Sequence, residues 1–142
     1  MNLKNIHPKT LLEAIDMIVA ELTDEEIKFI KNSGYEGLHH GLGTSLRNNL
    51  HLWDKKCPIV KDIRKTYDLS HGDDCSGLLF TGIWTKVRGG NLQEELQKQS
   101  DKYHKHWLKS GVCCHTGEPL KGVKQPKTIK LKIDKQGKIC YD

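Results

Sequence analysis

Residues 75–87, CSGLLFTGIWTKV, decide the fold class. The run is apolar on every side of its central turns, and a helix of that kind has to be enclosed by other helices. Leu79, Ile83 and Trp84 mark it as the central helix, with Asp73 or Asp74 expected to cap its start and Gly89-Gly90 to end it.

The enclosing helices are legible on both sides. Upstream, Thr10 precedes LLEAIDMIVAEL, where Leu11, Ile15, Ile18 and Leu22 recur at helical spacing. Thr23 and Glu26 form a capping box for a second helix that turns Ile27 and Ile30 inward and stops at Gly34. Tyr35 to Trp53 reads as a third helix with Leu38, Leu42, Leu46, Leu50 and Trp53 as its core stripe. Gly41 and Gly43 within it cost about 1 kcal/mol each relative to alanine, which points to close helix packing there. Pro58 opens a fourth helix, IVKDIRKTYD, with Ile59 and Ile63 on one side. Downstream, Asn91 and Glu94 repeat the capping signature for a sixth helix reaching about Lys109.

After Gly111 the pattern changes. HTGEPLKGVKQPK is turn chemistry, TIKLKID alternates apolar and polar residues with period two, KQG is a short turn, and KICYD alternates again. The expected fold is therefore mainly α, a compact bundle of about six short helices over residues 1–110, followed by a loop and basic β-hairpin over 111–142.

Charge divides at nearly the same place. Residues 1–100 carry 13 basic and 14 acidic side chains, whereas residues 101–142 carry 10 and 4, so the +5 of the 142-residue chain resides in its tail. One domain of this length buries about 68% of its surface, too much for wholesale disorder. No apolar run approaches the 18 or so residues of a membrane span, and MNLKNIHPKT lacks the apolar stretch of a secretion signal. The five cysteines are odd in number, contain no CxxC pair, and read as reduced thiols of a cytoplasmic protein.

Three polar sets carry the functional reading. In HHGLGTSLRNN, residues 39–49, helical spacing puts His39 and Arg47 on one flank of the leucine stripe and His40 and Asn48 on the next. With His71, Asp73 and Asp74 they form a candidate site for a small anionic, nucleotide-like ligand, because guanidinium offers a bidentate fork and carboxamide a neutral donor. The same set can instead lock helices together, with Asp73 and Asp74 as partners for Arg47. A competing reading makes the histidines and aspartates a metal-dependent hydrolase or nuclease, although no dedicated metal motif is present. His104, His106, Cys113, Cys114 and His115 are rich in zinc-type ligands, but His104 and His106 point about 200° apart on a helix. The third set is the lysine row Lys127, Lys130, Lys132, Lys135 and Lys138, a partner-binding surface for protein or nucleic acid that also protects an exposed strand from edge-to-edge pairing.

The segments EAIDMIVAELTDEE, GLHHGLGTSLRNNLHLW and HGDDCSGLLFTGIWTKVRG together resemble an uncharacterised bacterial and phage domain family over about residues 7–90. His39, His40, Gly43, Arg47, Asn48, Trp53, His71, Asp73, Asp74 and Ser76 carry the resemblance. The chain departs from it at Gly72, where members often have proline. The resemblance implies no known activity. It does imply that the polar set acts as one spatial cluster and that residues 91–142 are a less general addition. The reading is thus of a small binding protein, encoded by a phage or mobile element and acting in host–phage conflict, without catalytic residues, metal or cofactor.

Overall fold

The computed structural model describes residues 3, 5–32 and 41–120, and the backbone of 131–133 and 139–141. Among the described residues the chain forms six helices: α1 (Leu11–Glu21), α2 (Asp24–Asn32), α3 (Leu42–Asn49), α4 (Pro58–Tyr67), α5 (Gly72–Arg88) and α6 (Leu92–Ser110). The protein is mainly helical. Gly34, the expected stop of α2, and most of the hairpin expected toward the C-terminus lie outside the described residues.

Helix α5 is the hub, packed against each of the other five helices. Leu78, Leu79, Phe80 and Ile83 are buried along it, and each such side chain contributes about 1.5–3 kcal/mol relative to exposure. Two glycines set how closely its neighbours approach. A Cβ at Gly82 would overlap Ile15 of α1, and one at Gly77 would overlap the Tyr103 hydroxyl of α6. The expected stop is present after α5 at Gly89 (φ 82°), and Gly111 (φ 71°) closes α6; both take the left-handed conformation that favours glycine.

The caps follow the sequence at three starts. Thr10 Oγ1 accepts from Glu13 N at 3.1 Å, Thr23 and Glu26 exchange reciprocal bonds of 3.1 Å, and Asn91 Oδ1 accepts from Glu94 N at 3.0 Å. Asp62 of α4 also accepts from the Leu11 amide at 2.8 Å, which ties the start of α1 to α4.

Three expectations are corrected. Helix α3 ends at Asn49, not Trp53, because His51 adopts a left-handed conformation (φ 55°) and the chain then turns through bonds from Leu52 N to Arg47 O and Asp54 N to His51 O, each 3.0 Å. That turn puts Leu52 in the core, while Trp53 is 55% exposed. Helix α5 begins at Gly72, and its cap is His71, whose ring accepts from Asp73 N; both aspartates lie inside the first turn. Gly41 stands at the N-cap position of α3, and among the described residues a Cβ there would meet nothing within 4 Å, so none of them packs closely against that glycine.

Candidate functional site

The turn after α3 and the first turn of α5 meet through Trp53 and Gly72. A Cβ at residue 72 would overlap the Trp53 indole, so glycine is what lets the ring lie against the helix start. The His71 imidazole lies between two indoles, with ring centroids 5.3 Å from Trp53 and 5.6 Å from Trp107. Its Nδ1 accepts from Asp73 N at 3.2 Å and lies 3.9 Å from Asp73 Oδ2.

Arg47 is directed inward. From α3 its guanidinium donates to Ser76 Oγ and to Thr44 Oγ1, both at 3.0 Å, and lies 3.6 Å from Asp73 Oδ1. Ser76 passes the connection on by donating to Asp73 O at 2.9 Å. Only 12% of the Arg47 side chain is exposed. The expected pairing with Asp74 is not formed: Asp74 is buried and accepts from Trp107 Nε1 at 2.8 Å. Burial pushes the Asp74 carboxyl above its ordinary value, and the Trp107 hydrogen bond opposes that rise.

Arg47, His71 and Asp73 are thus adjacent, with Asp74 behind them facing α6. Asn48 is exposed on α3. His39, His40, Lys127, Lys130, Lys135 and Lys138 lie outside the described residues, as does the side chain of Lys132.

Among the described residues no three His, Cys, Asp or Glu side chains form a group able to hold a metal ion. In the set His71, Asp73 and Asp74, the last carboxylate is turned to the indole of Trp107. The zinc-type set is likewise dispersed. His104 Nε2 lies 2.6 Å from Tyr67 O, the His106 ring stands 6.1 Å from Trp107, and His115 joins a different group. Cys57, Cys75, Cys113 and Cys114 are free thiols.

That different group is one the sequence reading missed. His115 Nδ1 lies 2.5 Å from Ser70 Oγ, and its Nε2 lies 2.7 Å from Asp68 Oδ1. The residue types match a hydrolytic triad, but their exposure is inverted. Ser70 is only 4% exposed and the Asp68 side chain 79%, whereas a nucleophile must be reachable and its orienting carboxylate shielded. The arrangement is therefore a clamp. It fastens the segment after α6 to the α4–α5 connection, helped by Lys55 Nζ donating to His115 O at 2.7 Å. Spacing could not reveal it, since 45 residues separate Ser70 from His115.

Among the described residues no helix is long and apolar enough to cross a membrane. A family model described as Domain of unknown function (DUF6794) matches residues 7–87. No curated protein and no solved structure matches the chain.

Proposed function

The chain belongs to the DUF6794 family, and from that premise we propose that it is a small binding protein that engages a protein partner through the surface formed by Trp53, His71 and Asp73. One observation carries this reading: Trp53 is 55% exposed yet held in place against Gly72 and the His71 ring. A large, preoriented indole loses little freedom on binding, and tryptophan is among the residues that dominate interface energetics. Of the two occupants expected from the sequence, the protein is favoured over a small anion. Arg47, the anchor for an anion, already has Asp73, Ser76 and Thr44 as partners.

The finer parts of the reading attach to the tail and to origin. The reading of a basic β-hairpin rests on the period-two alternation of TIKLKID in the sequence. Its lysines supply a salt-sensitive contact with a polyanion, which deletion of residues 124–142 removes. The resemblance to bacterial and phage domains supports a place in host–phage conflict within the host cytoplasm, and the neighbouring genes test it.

The decisive experiment is capture of partners from host lysate by the full chain and by its Trp53→Ala variant. Partners held by the wild type and lost by a variant with an unchanged helical spectrum support the assignment. Identical capture by both proteins overturns it.

A further inference from the structure

A cleft of about 480 Å³ lies between the N-terminal segment and the turns that follow α3, apart from the Trp53 surface. Its floor is apolar, formed by Leu3, Leu50 and Ile59, all buried. Its rim is basic: His7, Lys9, His51 and Lys56 are exposed around it. The left-handed backbone at His51 is the turn that carries this residue to the rim.

The charge around the cleft is unbalanced. Among the described residues none of His7, Lys9, His51 and Lys56 makes an ion pair. Asp54 is the acidic residue of the lining, and its Oδ1 accepts from the backbone amide of Lys56 at 2.9 Å. The volume falls in the range of about 300–1,000 Å³ typical of small-molecule sites. An apolar floor rewards a hydrocarbon body, and a rim of ammonium and imidazole groups rewards an anionic head.

We propose that this cleft binds a small amphiphilic anion, a carboxylate or phosphate monoester head carried on a short apolar body. The body lies over Leu50 and Ile59, and the head meets Lys9 and Lys56. Neither part alone satisfies the cleft, so affinity requires both.

The test is titration of the full chain with hexyl phosphate, hexanoate, inorganic phosphate and hexanol, followed by the His7 and His51 ring resonances. The expected result is saturable binding of hexyl phosphate or hexanoate at least tenfold tighter than either inorganic phosphate or hexanol. The tighter of the two anions names the head group. Lys9→Ala combined with Lys56→Ala, both at exposed positions, weakens that binding at least tenfold while the unfolding midpoint stays in place. No saturable binding, binding no tighter than that of hexanol, or binding indifferent to the double variant overturns the proposal. Trp53→Ala leaves this titration unchanged, so its outcome is separate from that of the partner surface.

Discussion

The indole of Trp107 on α6 donates a 2.8 Å hydrogen bond to the buried carboxylate of Asp74 in the first turn of α5. The bond joins the shared helical body to a helix that lies beyond the family match, which ends at residue 87. It also spares the start of α5 a buried acceptor without a partner, a defect that costs about 1–3 kcal/mol.

A pH dependence follows from this contact. Burial raises the folded-state value of Asp74 above its ordinary 3.8, so the folded protein holds the proton more tightly than the unfolded chain. Stability from this group is thus fully present below that ordinary value and is lost as pH rises through the raised one. Trp107→Phe removes the opposing hydrogen bond and makes the loss larger. Asp74→Asn removes it altogether. Urea denaturation of the three proteins across the acid and neutral range checks this: the gap between wild type and Asp74→Asn should change with pH in that sense. A Trp107→Phe profile parallel to wild type would count against the coupling.

Arg47 is predicted to be architectural. Its guanidinium joins α3 to α5 with little exposure, whereas Asp73 is 54% exposed. Arg47→Ala should therefore cost about 1–3 kcal/mol, and Asp73→Ala less than about 1 kcal/mol. Arg47→Lys should not restore the loss, because an ammonium cannot reach Ser76 and Thr44 together as the fork does. Urea midpoints read all three, and an Arg47→Ala protein as stable as wild type would return Arg47 to the candidate ligand groups.

Which parts of this were legible follows from how local each signal is. Thr10, the Thr23–Glu26 box, Pro58, Asn91 and the stop at Gly89 act within four residues, and all appear where the sequence places them. The central role of α5 was legible because a helix apolar on all sides has no other stable location. The end of α3 was not, because the leucine spacing continues to Trp53 while the backbone breaks at His51, a residue with no breaker chemistry. Periodicity cannot tell a stripe that continues from one whose next core position has passed to Leu52. The adjacency of Arg47, His71 and Asp73 was implied by the family resemblance, but the partners that orient them, Ser76 and the two indoles, depend on tertiary packing. The clamp of Ser70, His115 and Asp68 was invisible for the same reason.

The thiols are predicted to differ in reactivity. The Thr116 side chain, followed by the backbone amides of His115 and Thr116, hydrogen-bonds Cys113 and holds its thiol below the ordinary value. Burial, with the nearby Asp74 charge and Cys57, pushes Cys75 up to about 12. In a Cys140→Ser background at neutral pH, a disulfide reagent should label Cys113 first and Cys75 only as the protein unfolds. Thr116→Ala should slow the labelling of Cys113. Rapid labelling of Cys75 in the folded protein would contradict its placement in the core.

The clamp is predicted to hold the segment after α6 without taking part in the stability of the central helix. Between Gly111 and Leu120 the chain closes on itself through Cys113 N to Glu118 O and Gly117 N to Cys113 O, both 2.8 Å, and Leu120 N to Gly111 O at 3.0 Å. It is fastened to the body by His115, which meets Ser70 Oγ and Asp68 Oδ1 with one ring and accepts Lys55 at its carbonyl, and more weakly by Cys114, whose thiol donates to Asp68 O at 3.5 Å. A single tautomer satisfies both sides, since Ser70 donates to Nδ1 while Nε2–H donates to Asp68. His115→Ala should release about 1–2 kcal/mol of local protection, a rise of about five- to thirtyfold in amide exchange at Cys113, Gly117 and Leu120. Exchange at Leu78, Leu79 and Phe80 in α5 should not move, because the bonds of His115 go to Ser70, Asp68 and Lys55, all outside that helix. Ser70→Ala should act in the same direction, and Asp68→Asn less, since that carboxylate is largely exposed and its bond competes with water. Equal acceleration in the segment and in α5 would mean that the clamp supports the whole fold, not the segment alone.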